Sequence, residues 1–246
     1  LGTFSGMNFN IYDLYARKKF GKFFFAAEVP VVQGSLDKFE YSTFAVATEA
    51  GFKFTDSVEV QLKAGRAPGQ GNSGSATLDN KFKAFYFNPA YRLGNIMFNY
   101  RLDNFAGPNT QNSAAATASG LASPYDNPIV NANYLAVNGL FHTDKWSFNA
   151  GVIYAQANEK AAAGQFFYNN RERAVSPTVA RKDQSSSLGV ETDLGAAFQW
   201  DEYFQFRLDL GVYFPGDFHK FSNAVNDVDN KTSPVFSASA GVGINF

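Results

Sequence analysis

The sequence predicts an all-β fold, a transmembrane antiparallel β-barrel formed by one domain over residues 1–246. Three observations predict it: long segments of alternating apolar and polar residues, connections that are alternately short and long, and many aromatic residues in a chain of modest hydropathy. The chain contains 27 Phe and 12 Tyr, yet its mean hydropathy is only −0.23. Strands with one face toward lipid and the other toward a wet interior have this composition.

Composition excludes several other classes of protein. No segment contains the roughly 18–20 consecutive apolar residues that a membrane helix needs. The net charge of −1 provides no basic surface for nucleic acid. The absence of cysteine excludes thiolate chemistry, and two histidines are too few for a histidine-rich metal centre. We therefore expect no cofactor, no enzymatic activity and no nucleic-acid partner, and a soluble β-sandwich is the rival fold.

Period-two alternation predicts about eleven strands and no amphipathic helix. The predicted strands lie near residues 7–18, 20–33, 41–54, 57–66, 81–92, 95–104, 131–142, 145–156, 187–199, 202–214 and 234–246. Their lengths match the roughly 9–11 tilted residues that cross a bilayer, whereas soluble strands average about 5–6 residues.

The stretch FQFRLDLGVYF, residues 204–214, has the clearest alternation, with Phe206 on the expected lipid side and Asp209 on the water side. Its neighbour LGVETDLGAAF repeats the pattern and places Glu191 and Asp193 on the water side. A soluble core does not accommodate acids at such positions. The residues expected to face lipid in these two strands are Phe204, Phe206, Leu208, Leu210, Val212, Phe214, Leu188, Val190, Thr192, Leu194, Ala196 and Phe198.

The connections between strands fall into two groups. KKFGK, FTDS, RLGN, HTDK and QWDE are tight turns, whereas residues 67–80, 105–130, 157–186 and 215–233 form long connections rich in small and polar residues. In outer-membrane barrels the short turns face the periplasm and the long loops face outward. The aromatic residues expected to form a girdle beside the periplasmic turns are Trp146, Trp200, Tyr203 and Tyr12.

The last stretch alternates as far as its terminal residue, Phe246. A closing strand that ends in Phe resembles the signal read by the barrel assembly machinery of Gram-negative bacteria. Placing this strand's end in the periplasm puts the start of the chain on the outer side. Because bacterial barrels normally have an even strand number and start in the periplasm, we expect amino-terminal strands to be absent, through processing, truncation or supply by a second polypeptide.

Two stretches resemble the alginate-export-like outer-membrane proteins. The first is FNPAYRLGNIMF, residues 87–98, which is similar to a periplasmic hairpin of that family. The second is residues 189–218, which resembles the family's penultimate hairpin with inward acids and a Phe-Pro-Gly-Asp exit. The resemblance implies a barrel of about eighteen strands that acts as a passive conduit for polysaccharide or small solutes.

The charges expected to line the lumen have mixed sign, which differs from the arginine-rich constriction of alginate exporters. Such charges either filter solutes or satisfy one another as cross-strand pairs. The predicted lumen-lining residues are Glu28, Glu49, Glu59, Lys63, Arg92, Arg101, Glu191, Asp193, Arg207 and Asp209.

Other polar residues have weaker functional interpretations. Arg171, Arg173, Arg181 and Lys182 make one external loop locally basic, so that it could contact lipopolysaccharide phosphates or recruit an anionic solute, or be merely solvated. Asp227 and Asp229 lack the further ligands of a calcium loop. Neither His142 nor His219 has a serine or second acid at a spacing that specifies catalysis.

The sequence therefore predicts a porin-like channel in the outer membrane of a Gram-negative bacterium. It would pass or export small hydrophilic solutes or saccharides by passive diffusion. The alternative is a non-conducting barrel that serves as scaffold, receptor or adhesion surface through its long loops. Its expected partners are outer-membrane lipid and lipopolysaccharide, the assembly machinery and the solute itself.

Overall fold

The computed structural model describes residues 6–36, 39–77, 80–99, 127–170, 173–223 and 228–244. Within these ranges the protein is all-β, as predicted, and its main sheet contains eleven strands. The described residues form thirteen strands, of which β9 and β10 pair separately from the main sheet. They are β1 (Met7–Phe20), β2 (Phe23–Leu36), β3 (Phe39–Phe44), β4 (Val46–Lys53), β5 (Val58–Ala67), β6 (Lys81–Phe82), β7 (Ala132–His142), β8 (Trp146–Gln156), β9 (Tyr168–Asn169), β10 (Ala174–Val175), β11 (Ser187–Gln199), β12 (Phe204–Pro215) and β13 (Val235–Ile244). A short 3₁₀ helix spans Asp217–Lys220. Within the described part of the chain, no helix has the length and hydropathy to cross a bilayer.

The long strands pair antiparallel with their neighbours in chain order, from β1 at one edge to β13 at the other. β3 and β4 both pair with β2 and together occupy one position in the sheet. They are separated at Ala45, whose N–H donates to the carbonyl of Pro30 at 3.1 Å. Because Pro30 has no N–H to return, the ladder is interrupted at this point.

Four of the five predicted turns connect adjacent strands at one end of the sheet, hereafter the turn end. They lie at residues 21–22, 54–57, 143–145 and 200–203. Side-chain oxygens stabilise them: Thr55 Oγ1 accepts from the N–H of Val58 at 3.0 Å, and Asp201 Oδ1 accepts from Phe204 at 2.8 Å. The long connections lie at the opposite end, the loop end.

The predicted strand at 95–104 is wrong over its described residues, and only β6 is observed within the predicted strand at 81–92. β5 pairs directly with β7, and beyond β6 the residues up to 99 form no strand. Residues 83–99 are hereafter called the inserted segment. Its backbone bonds to residues outside the ladder of the sheet: the N–H of Phe85 donates to the carbonyl of Pro68 and that of Phe87 to the carbonyl of Ile129, each at 3.0 Å. Residues 100–104 lie outside the described ranges.

The two faces of the sheet differ sharply. Residues paired across antiparallel strands share a face, and the face that carries Leu194 and Leu208 leaves its large apolar side chains in solvent. This outer face exposes Leu62, Leu135, Val137, Phe141, Trp146, Phe148, Val152, Tyr154, Leu194, Phe206, Leu208, Leu210, Phe214 and Val242. The alternation predicted for β11 and β12 is confirmed for most of these positions.

The opposite, inner face packs against the inserted segment and forms the core. Phe87, Ile96 and Met97 from the segment are buried against Tyr134 and Ile153 of the sheet. The expected lipid-facing position of Leu188 is wrong, because the pairing register shifts between Ser187 and Gly189 and Leu188 joins this buried cluster. The apolar core therefore lies between the sheet and a segment that the sequence analysis assigned to the sheet itself.

Candidate functional site

The candidate site lies on the inner face, where the strand register aligns charged residues in rows. One row runs across six strands because each of its residues is the pairing partner of the next. It consists of Glu49, Lys63, Ala136, Ile153, Glu191 and Tyr213. Asp193 lies in the adjacent row, opposite Gly151 and Gly211, and the small neighbours leave space above it for the inserted segment.

Glu191 binds the backbone of the inserted segment. Its Oε1 accepts a hydrogen bond from the N–H of Ile96 at 2.7 Å, and its Oε2 accepts one from the N–H of Met97. The Glu191 side chain is fully buried. A buried acid is costly unless it is hydrogen-bonded, and these two bonds give a partner to each of its oxygens.

Asp193 holds the residue next to them. Its Oδ2 accepts from the N–H of Asn95 at 3.2 Å, while the Asn95 side chain donates to the carbonyl of Leu210 at 3.1 Å. Asp193 Oδ1 is buried without a hydrogen-bond partner among the described residues. The two acids and Leu210 thus fix residues 95–97 against β11 and β12.

Gly94 allows this close approach. A Cβ at this position would lie 2.3 Å from Ile153 Cδ1 and 2.7 Å from a carboxylate oxygen of both Glu191 and Asp193. Real Cβ atoms do not tolerate such contacts. The absence of a side chain at residue 94 is therefore part of the site.

Several of the predicted lumen charges pair with one another on the inner face. Arg207 makes two bonds to Asp209, at 2.6 and 3.0 Å. Lys63 lies 3.3 Å from Glu49 and 5.5 Å from the centre of the Tyr91 ring. These contacts favour the interpretation that the charged side chains neutralise one another in pairs. They argue against a row of charges without partners that would filter solutes.

The remaining predicted site residues have varied positions. Glu59 is largely buried, lies 3.9 Å from Lys53 and accepts a bond from Gln61 at 2.7 Å. Glu28 pairs in register with Tyr15 of β1 and Ala47 of β4. The expectation that Arg92 occupies a turn between two strands is wrong, because it lies exposed in the inserted segment. Arg101 and Phe246 lie outside the described residues.

Above the inserted segment, at the loop end, is a cavity of about 390 Å³, hereafter the vestibule. Ile96, Met97 and Leu188 form part of its lining and are buried. Aromatic side chains contribute much of the remaining lining, and Lys160 and Arg173 are exposed lining residues. These aromatic residues are Tyr86, Phe98, Phe167, Tyr168, Tyr213, Phe218 and Phe221.

Amide side chains hold the loops around the vestibule. The backbone N–H of Gln70 donates to Asn170 Oδ1 at 2.6 Å, and Asn170 returns a bond to the Gln70 carbonyl at 3.0 Å. Asn131 makes the same kind of double contact with the backbone of Glu159, at 2.7 and 2.8 Å. The loop after β8 is therefore hydrogen-bonded both to the loop after β5 and to the residue that precedes β7.

Two tyrosines of the vestibule, Tyr86 and Tyr168, are neutral groups. Burial raises the pKa of both Tyr86 and Tyr168, so their hydroxyls stay protonated. Tyr86 donates to the carbonyl of Asn170 at 3.0 Å. At the far wall, His219 Nε2 lies 2.8 Å from Tyr213 Oη. No cluster of His, Asp or Glu suited to a metal ion occurs among the described residues.

The sequence pattern does not reveal the role of Gly94 and Asn95. One signal that this stretch is not a strand was present, because Asn88-Pro89 is a turn-forming dipeptide. In the turn, Asn88 Oδ1 accepts from the N–H of Ala90 at 2.9 Å, and the N–H of Tyr91 donates to the Asn88 carbonyl at 2.9 Å.

No family model and no curated protein matches this sequence.

Proposed function

We propose that the chain forms the wall of an outer-membrane β-barrel that acts as a porin-like channel for small solutes. The observation that carries the proposal is the inverted polarity of the sheet. Its outer face exposes large apolar side chains such as Leu194 and Leu208, while its inner face buries Glu59, Glu191 and Asp193. Soluble proteins bury apolar residues and rarely bury acids, whereas barrel strands in membranes show the arrangement found here.

The size of the exposed apolar face supports contact with lipid. Monomeric soluble proteins rarely expose contiguous apolar patches above a few hundred square ångströms, and here the pattern continues across β5, β7, β8, β11 and β12. A soluble β-sandwich would cover such a face with a second sheet. The only other sheet among the described residues is the two-residue pair of β9 and β10.

Aromatic residues at the turn end support a membrane interface there. Trp146 packs against Phe148 and Phe198 with ring centres 5.5 and 4.6 Å apart, and Trp200 and Tyr203 are exposed nearby. Aromatic girdles occupy the interfaces of membrane barrels. In this proposal the turn end faces the periplasm and the loop end faces outward, where lipopolysaccharide lies.

The proposed barrel needs partners for its two edges. Among the described residues, β1 and β13 each pair on one side only. Unpaired strand edges are not stable within the hydrocarbon region, so further strands must complete the wall, from the same protein or from a second polypeptide. The alginate-export-like resemblance favours about eighteen strands in total.

The inserted segment determines how the channel would select. It lies on the inner face beside Glu191 and Asp193, where it would narrow the lumen of the proposed channel. The width of the path would select solutes by size, and paired charges such as Arg207 and Asp209 would select them by charge. The same segment also favours a second candidate function, a plugged barrel that binds a partner through its loops without conducting.

Conductance of the purified full-length protein in a planar lipid bilayer tests the proposal. Discrete steps above the background of protein-free bilayers support the channel, and their absence favours the plugged barrel. A polypeptide that remains soluble and monomeric without detergent overturns both. Heat-modifiable migration on a gel in detergent provides a control for correct folding.

A further inference from the structure

We propose that the vestibule binds an aromatic carboxylate, with its ring among the aromatic side chains and its carboxylate on Arg173. The inference rests on the proposed channel function, because it names the class of solute that would enter the channel. It is argued from the apolar lining of the cavity, from the engagement of the surrounding amides and from the position of one guanidinium group.

The deep part of the vestibule is apolar. Ile96, Met97 and Leu188 are only 1%, 5% and 8% exposed, and Phe167 and Phe218 also line the space. A cavity of about 390 Å³ lies at the small end of the range for small-molecule sites, roughly 300–1,000 Å³. Such a space suits a compact, flat, apolar group more than an extended chain of sugar residues.

The polar side chains at the cavity are largely committed to the protein. Gln70 Nε2 donates to the Lys81 carbonyl at 3.1 Å and its Oε1 accepts from the N–H of Lys83 at 2.8 Å. Asn131 and Asn72 likewise bind backbone groups with both ends of their amides. A saccharide has many hydroxyls, each of which loses free energy if it is buried without a partner. This engagement of the amides argues against a saccharide.

Arg173 provides the recognition group for an anion. Its guanidinium carbon lies 4.7 Å from the centre of the Tyr86 ring, and the residue is exposed. A guanidinium can stack on an aromatic face while its N–H edge binds a carboxylate in two places. Lys160 adds a second cation, and Glu159 is the one carboxylate among the described lining residues.

The lining thus combines an aromatic interior with a cationic group. A benzoate-like molecule matches both features, because its ring can pack against Tyr168 or Phe167 while its carboxylate reaches Arg173. A neutral ring would lose the ion pair, and an aliphatic sugar would lose the aromatic contacts. The charge of the solute should therefore contribute as much to binding as its ring.

Benzoate binding to the full-length protein in detergent micelles, measured by titration calorimetry, tests this inference. We expect benzoate to bind at least about tenfold more tightly than the neutral isostere benzamide, and R173Q to lower benzoate affinity by a similar factor. R181Q is the matched control, because Arg181 belongs to the same basic loop and is not part of the vestibule lining. Its affinity for benzoate should equal that of the parent protein.

Equal affinities for benzoate and benzamide in the parent protein overturn the inference, and this comparison needs no variant. A preference for maltose over benzoate, or an equal loss in R173Q and R181Q, also overturns it. The outcome is separable from that of the channel proposal, because binding in micelles does not require conduction. A conducting protein without benzoate binding contradicts only this inference, and a silent protein that binds benzoate contradicts only the channel.

Discussion

The carboxylate of Glu191 accepts a hydrogen bond from the N–H of Ile96 at 2.7 Å, between residues 95 positions apart in the sequence. This contact joins the wall of the sheet to the segment that lies across its inner face. Since Glu191 is fully buried, the contact excludes water and its loss cannot be repaired by solvent. The position of residues 95–97 therefore depends on two acids of β11, Glu191 and Asp193.

We expect E191Q to loosen the inserted segment and to increase single-channel conductance. The amide retains only one acceptor oxygen, so its NH₂ group would oppose the N–H of either Ile96 or Met97. Leaving a buried N–H without an acceptor costs about 1–3 kcal/mol. Conductance steps in planar bilayers measure the effect. E202Q is the matched control, because Glu202 lies exposed in the turn between β11 and β12, and equal changes in both variants would contradict the assignment.

We expect G94A to destabilise the protein, by about 1–3 kcal/mol. The new methyl group would lie 2.3 Å from Ile153 Cδ1 and too near both acids, so these buried side chains or the inserted segment would have to shift. G74A is the matched control, because nothing lies within 4 Å of a Cβ placed there. Urea unfolding from detergent micelles gives the two midpoints. A midpoint for G94A equal to that of G74A would show that the segment is not packed as described.

We expect L208R to impair insertion into lipid, since Leu208 lies exposed on the outer face. A charged residue on the lipid side of a barrel costs about 2–4 kcal/mol at the bilayer midplane. The control is S239R, because Ser239 pairs with Asp209 on the inner face, where an added cation meets an acid. Folding yields into vesicles, assayed by heat-modifiable migration, should fall for L208R only. Equal yields for the two variants would contradict the proposed contact with lipid.

The strands and their faces could be predicted from sequence because their signal is local. Alternation with period two follows from strand geometry alone, so β11 and β12 were placed within a few residues of their observed bounds. Tight turns were also predictable, because residues such as Gly21, with φ of +54°, carry their own backbone preference. The exception at Leu188 arose from a bulge, which shifts the register by one residue.

The inserted segment could not be predicted in this way. Its apolar residues Phe87, Tyr91 and Leu93 alternate as they would in a strand, and its true environment depends on carboxylates nearly one hundred residues later. Glu191 and Asp193 lie on the face opposite the exposed apolar residues, as the alternation predicts, but the pattern predicts neither their burial nor their partners. Burial of a hydrogen-bonded acid is a tertiary property, and no local pattern in the sequence encodes it.

We expect a disulfide between N95C and G211C to lock the inserted segment in place. A Cβ at Gly211 would lie 3.1 Å from the Asn95 Cβ, close to the roughly 3.5–4.5 Å of natural disulfides. The chain has no cysteine of its own, so the double variant can form only this bond. The Cβ would also lie 2.8 Å from Asp193 Oδ1, which requires a small shift of that side chain.

Conductance of this double variant should be low when oxidised and should rise when a reducing agent is added, because the reduced pair has lost the Asn95 bond to Leu210. The single variants N95C and G211C are controls and should not respond to reductant. If the disulfide forms and its reduction leaves conductance unchanged, the inserted segment does not limit the passage of ions. The width of the path would then be set by the wall itself, through fixed residues such as Lys63 and Glu49, which lie 3.3 Å apart.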